Sequence, residues 1–177
     1  YNLVLGEKAK IDQIVFLGDK KIKSRKLKNI ITSEEAKFWK FISKQIFIDK
    51  ERINLDKRLL TNYYRNKGYY NVKVEDSFVE FKDNNAFKLI FTINAGEKFE
   101  FNNVDLIIPD DYDPKHFKSI DKFLKKIENK QYSLNKIDKI LKEIDKIALS
   151  KQYEFVNAKM SEKIIDKNKL DILITLE

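Results

Sequence analysis

Cysteine is absent from the 177-residue sequence, which excludes disulfides, thiolate metal sites and thiol nucleophiles and leaves the redox compartment open. Histidine occurs once, as His116. With no cysteine and no spaced carboxylate–histidine set around it, it reads as an ordinary surface residue rather than a ligand. Glycine and proline are scarce, with four and two residues, and no glycine-rich phosphate loop is present. No serine sits in a recognisable motif with a histidine and an acid, and Gly18-Asp19 and Asp110-Asp111 are explained as turn residues before catalytic carboxylates. No stretch approaches the roughly 20 apolar residues that span a bilayer, and nothing resembles a signal peptide. The chain opens on Tyr1 rather than methionine, as expected of a fragment of a longer polypeptide. These absences point away from an enzyme and imply no cofactor and no metal.

What is present suits packed cores. The sequence is 42% hydrophobic, enough for one medium domain or two small ones. A formal net charge of +8 arises from 36 basic and 28 acidic residues. Most of the excess is lysine scattered among aspartate and glutamate, which describes a solvated surface. A nucleic-acid-binding module is the competing class, but arginine is scarce and no basic-aromatic motif appears, so no nucleic-acid partner is expected.

The plan of the chain shows at residues 62–74. Leu55, Leu59 and Tyr63 recur at helical spacing and run into Gly68, a residue able to end a helix in the left-handed conformation. Tyr70, Val72 and Val74 then alternate with Asn71, Lys73 and Glu75, the period of a half-buried strand. A second joint follows, where Ile144 and Ala148 lead to Tyr153 and Val156 with Gln152 standing in the place of Gly68. The tripeptide Gly6-Glu7-Lys8 recurs as Gly96-Glu97-Lys98. A period of about 90 residues indicates tandem modules, here residues 1–95 and 96–177, with residues 1–5 as the tail of a preceding repeat. The short glycine-containing segment 94–98 permits a limited hinge.

In the first module the spacing predicts a strand over 11–17, a short helix capped by Ser24, an aromatic loop carrying Phe38, Trp39 and Phe41, and a helix capped by Asp49. A strand over 69–81 and a strand over 87–93 follow, turning at Asp83-Asn84-Asn85. The apolar parity shifts from Val72 and Val74 to Val79 and Phe81, which predicts a bulge within 76–78. The second module repeats the order with a strand over 99–108, a helix opened by Asp113-Pro114, a helix capped by Ser133, and a hairpin over 153–164 and 170–176. Phe117, Ile120, Leu124 and Ile127 mark a buried stripe, and Leu134, Ile137, Leu141, Ile144 and Ala148 follow strict three-four spacing. The fold class is therefore α+β: two tandem β-α-α-β-β modules, each a three-stranded mixed sheet under two helices. If the helix pair carries the chain past one vacant position that the third strand fills, the sheet order is first, third, second. That leaves the second strand on an edge.

This edge is the expected partner-binding site, through Val72, Lys73, Val74, Glu75, Asp76, Ser77, Phe78 and Val79. An extended segment could add there as a further strand. Lys73, Glu75 and the expected bulge are equally the devices that protect an edge. Phe38 and Trp39 are the second candidate, as loop aromatics that anchor a partner or join the core. Asp56 falls near the apolar face of its helix, between Ile53 and Leu60. A bond to a local backbone donor or a nearby lysine is expected of it.

The tandem units, the phrase Leu60-Thr61-Asn62-Tyr63-Tyr64-Arg65-Asn66-Lys67-Gly68-Tyr69 and the strand-to-strand glycine hinges resemble POTRA domains over nearly the whole chain. The similarity is to those repeats in the periplasmic region of outer-membrane β-barrel assembly proteins. Phe38-Trp39 in an elongated first half resembles the third such repeat, which would make these units the third and fourth of five. Gly18-Asp19 departs mildly from the family's glycine-asparagine, and Gln152 departs at the second joint. The resemblance implies a periplasmic scaffold that binds accessory subunits and unfolded outer-membrane proteins, anchored in full length by a membrane barrel outside this fragment. A relative serving autotransporter assembly or secretion, and a plain spacer, are the alternatives it leaves.

Overall fold

The computed structural model describes residues 9–37, 44–81, 86–153 and 156–177. The chain divides into two compact units, one of residues up to Tyr64 with Asn71–Gly96, the other of Arg65–Tyr70 with Glu97–Glu177. Among the described residues no helix is long and apolar enough to cross a membrane.

The first unit contains β1 (Lys10–Asp19), α1 (Ser24–Lys28), α2 (Lys50–Arg65, its last residue falling in the second unit), β2 (Lys73–Phe81) and β3 (Ala86–Asn94). Its sheet order is β1-β3-β2, with β1 parallel and β2 antiparallel to β3. A helix pair between β1 and β2 carries the chain over the sheet, and the hairpin return places β3 centrally. Ile11, Ile14 and Phe16 of β1 and Leu89, Phe91 and Ile93 of β3 are buried. Gly18 has φ of 83°, and a Cβ there would collide with the Ile93 carbonyl oxygen, so this end of β1 requires glycine. Gly18-Asp19 thus belongs to the strand's end rather than to a separate turn.

Ser24 lies inside α1 and does not cap it; the N-cap position is Lys23, without a side-chain bond. Asp49 does cap α2, its Oδ1 accepting from the N–H groups of Glu51 and Arg52 at 2.9 and 3.1 Å. The buried face of α2 is Ile53, Asp56, Leu60 and Tyr64, one position along from Leu55, Leu59 and Tyr63, which are only half-buried. The phase follows from Asp56. Its carboxylate is fully buried and accepts from the Thr32 N–H at 2.6 Å, the Thr32 hydroxyl at 2.7 Å and the Ser33 N–H at 3.1 Å. The donors lie far away in sequence, in the turn after α1, not in α2 itself. The short α1 leaves these N–H groups without a helical acceptor, and Asp56 supplies one.

The second unit contains β4 (Glu100–Ile107), α3 (Lys118–Ile127), α4 (Leu134–Ser150), β5 (Ala158–Asp166) and β6 (Lys169–Leu176), with sheet order β4-β6-β5. Asp113 caps the 3₁₀ turn Pro114–Phe117 that leads into α3, accepting from Lys115 N–H. Phe117, Ile120, Leu124 and Ile127 join Ile137, Ile140, Ile144 and the inner residues of β4 and β6 in one core. Gln152 adopts φ of 56°, so it takes the left-handed turn that Gly68 takes at φ of 94° in the first joint. Gln152 does so without glycine's freedom. Ser133 makes no capping bond to α4. The side-chain oxygen of Asn66 accepts from Asn135 N–H at 2.6 Å instead, so the first joint caps the second unit's long helix.

Candidate functional site

In a three-stranded sheet of order β1-β3-β2, the outer sides of β1 and β2 are free unless something else covers them. The side of β1 is covered at its start. Ala36 N–H donates to the Ile11 carbonyl at 2.7 Å, Ile48 N–H donates to the Ala9 carbonyl at 3.0 Å, and Lys10 bridges to Phe47. Glu35 adds an acceptor for Ile14 N–H at 2.9 Å, just past the register shift between Ile11 and Gln13. Burial alone would raise the Glu35 pKa, but Lys28 and the Ile14 N–H hold the carboxyl below its ordinary range. The first strand of the second unit is treated alike. Phe101 N–H donates to Lys130, and Asn129 and Tyr132 donate to Phe101 and Phe99. Among the described residues nothing is paired to the outer side of β2.

The ladder between β2 and β3 is uninterrupted from Lys73↔Asn94 to Phe81↔Ala86, so the bulge expected within 76–78 is not there. The parity change has a different cause. Val74, Asp76 and Phe78 lie opposite Ile93, Phe91 and Leu89, the buried residues of β3, so Asp76 occupies a position on the helix side of the sheet. It is held there by Lys57 of α2 at 2.6 Å. An ion pair replaces an apolar contact at that point, which breaks the pattern without breaking the strand. Lys73, Glu75 and Ser77 alternate with these and are exposed. Val72 precedes the strand and is buried, because the turn around Gly68 extends through Asn71 where a strand from about 69 was expected. Val79 continues the ladder opposite Lys88. Phe38 and Trp39 lie outside the described residues.

Beside the edge runs a groove of about 300 Å³ between β2 and α2, lined by Ile48, Lys50, Ile53, Asn54, Lys57, Asp76 and Phe78. Phe78, 39% exposed, is its aromatic wall. In antiparallel pairing every second residue of β2 turns its N–H and C=O away from β3. The nine residues of β2 therefore offer a strip about 30 Å long. An extended segment can hydrogen-bond to that strip and set an alternate side chain against Phe78 and Ile53. The α2 lining residues Lys50, Asn54 and Lys57 were not singled out from sequence; the signal that would have found them is helical spacing measured from Asp49.

His116 is half-buried, not simply on the surface. Its Nδ1 lies 2.7 Å from the Tyr153 hydroxyl, which also accepts from Asp113 N–H. Asp110 and Asp111 form a turn. Among the described residues no group of three or more His, Asp or Glu side chains is placed to hold a metal ion.

Residues 9–96 match the family model POTRA, described as surface antigen variable number repeat. Among curated proteins, the outer membrane protein assembly factor BamA of Neorickettsia risticii is 27% identical over 55% of this chain and 13% of its own length. BamA of Buchnera aphidicola is 26% identical over 88% of this chain and 24% of its own. The chain thus spans less than a quarter of the length of the relatives it matches. Among solved structures, the POTRA3-5 fragment of Haemophilus influenzae BamA superposes with a TM-score of 0.69 at 10% identity, over 95% of this chain and 61% of that one.

Proposed function

Residues 9–96 belong to the POTRA family, and we propose that the chain is a periplasmic scaffold of an outer-membrane protein assembly factor, taking up partners by strand addition at β2. The observation that carries this reading is the uninterrupted, outwardly unpaired ladder Lys73–Phe81 beside an open groove. Main-chain bonds give such a site affinity with loose sequence preference. That suits unfolded barrel clients and the loops of accessory subunits alike. The residues assigned to the site are Lys73, Val74, Glu75, Asp76, Ser77, Phe78 and Val79, with Val72 anchoring the strand's start. Phe38 and Trp39 support placing the two sequence modules, 1–95 and 96–177, as third and fourth repeats. The full-length protein is anchored by a barrel outside this chain, and the modules turn over no substrate and hold no cofactor.

The test is proline substitution at each of Val74, Glu75, Asp76 and Ser77, with circular dichroism as the folding control. Binding is measured against peptides copied from outer-membrane barrel strands and against purified periplasmic lipoproteins. Two of the four, spaced by two, lose at least about tenfold in affinity because their N–H groups face outward. Unchanged affinity in all folded variants would remove this edge from the mechanism.

A further inference from the structure

The second unit carries a surface that the first does not: α3 and α4 flank a groove of about 410 Å³. Ile120 and Phe123 of α3 and Ile140 of α4 supply its apolar lining, and Ser119 of α3 with Lys139, Lys142, Glu143 and Lys146 of α4 supply its polar lining. The core beneath is complete without anything in the groove, since Ile120 and Ile140 are already buried from below. Phe123 remains half-buried and the three lysines are exposed. Lys146 pairs with Glu143 at 3.3 Å in an exposed contact. Among the described residues no ion pair to Lys139 or Lys142 occurs. Among the described residues of the first unit, α1 is a five-residue helix and gives no second ridge of this length.

We infer that this groove docks an acidic amphipathic helix of a partner protein. Two neighbouring helices present ridges between which a third can seat its own, and apolar residues on one face of the incoming helix meet the floor at Phe123. Lys139, Lys142 and Lys146 repeat at the spacing of one helix face over about 10 Å. Glutamates at matching spacing on the partner meet them in register. The lining decides the sign of the partner, since three lysines against the single carboxylate of Glu143 leave it net positive and favour a negative segment. A flat lipid surface cannot fill a concave floor. This surface is separate from the β2 edge and does not depend on strand addition.

The experiment uses the whole chain and a fluorescent probe peptide of about five helical turns, with leucines at i and i+4 and glutamates on the flanks. A counterpart with lysine in place of glutamate, and vesicles of phosphatidylglycerol or phosphatidylcholine, complete the set. The glutamate peptide binds with anisotropy saturating in the micromolar range, and the lysine peptide does not. The Lys139→Glu/Lys142→Glu/Lys146→Glu variant loses at least tenfold in affinity, while Lys159→Glu/Lys163→Glu on β5 changes nothing. If charge reversal disturbs folding by circular dichroism, Lys139→Gln/Lys142→Gln/Lys146→Gln gives a smaller loss in a folded chain. Equal binding of both peptides, no binding, full affinity in the folded triple variant, or binding to anionic vesicles alone would each overturn the inference.

Discussion

The two units share a topology and differ at their second strands. In the first, β2 runs straight along β3 with Phe78 facing an open groove. In the second, β5 shifts register between Ile164 and Asp166, and the position matching Phe78 in the ladder is Glu162, opposite Ile172 as Phe78 is opposite Leu89. Glu162 accepts from the Tyr70 hydroxyl at 2.7 Å and from Tyr132 at 3.5 Å. A bulge and a tied inward carboxylate are what keep an edge from pairing. Identical strand order therefore yields one straight, open edge, where we propose that a strand is received, and one edge that carries the devices of refusal. The helices differ in the opposite sense. Counting back from each joint, buried Asp56 in α2 corresponds to buried Ile140 in α4. A complete α3 needs no outside acceptor, and a short α1 does.

The largest effect is expected from removing that acceptor. Asp56→Ala leaves the Thr32 and Ser33 N–H groups buried without partners and should cost the first unit about 3 kcal/mol. Hydrogen exchange resolved by peptide should show the loss over β1–β3 and leave β4–β6 protected. Equal loss in both units would break the separation. Exchanging the edge residues comes next. Glu162→Phe strips Tyr70 and Tyr132 of their acceptor and should cost the second unit about 2 kcal/mol in urea titration. Phe78→Glu should weaken binding of barrel-strand peptides about tenfold, or about 1.4 kcal/mol, with the fold intact.

Gln152→Gly gives the second joint what the first already has and should stabilise the second unit by about 1 kcal/mol, read from its thermal midpoint. The smallest effect concerns pH. Burial, then the Glu162 bond, pushes the Tyr70 hydroxyl up to about 12, and Tyr132 is raised for the same first reason. A hydroxyl whose folded pKa lies above its unfolded value near 10 stabilises fully below pH about 10 and loses that contribution as pH climbs through about 12. The second unit's stability should decline across that window, and Tyr70→Phe should flatten the decline.

Much of this fold is legible in the sequence because its signals are periodic. The stripe Phe117, Ile120, Leu124 and Ile127 is buried as its spacing predicts, and a crossover with a hairpin return leaves only one sheet order. What misleads is any position decided by a distant partner. Leu55, Leu59 and Tyr63 fit a helical stripe as well as the true face does, and only the donors at Thr32 and Ser33 set the phase. Asp76 looks like a break in a strand until Lys57 is placed over it. The edge was legible from topology; its groove, formed by α2, was not, because which turn of a helix overhangs which strand residue is a property of packing. Ser24 and Ser133 have the composition of caps, but Ser24 lies one residue inside α1 and Asn66 takes the capping role beside Ser133.

That asparagine has a consequence for how such arrays can change over evolutionary time. Arg65–Tyr70 is encoded at the end of the first unit's helix but packs with the second, bringing the cap for α4 and the Tyr70 ring, 5.1 Å from Tyr132 and 5.4 Å from Phe99. A gene fusion cut at Gly96 would deliver the second unit without the six residues that finish it. Shuffling of these modules is therefore constrained in pairs: a recombined unit inherits its keystone from whichever neighbour precedes it, and a mismatched neighbour is a folding defect before it is a functional one.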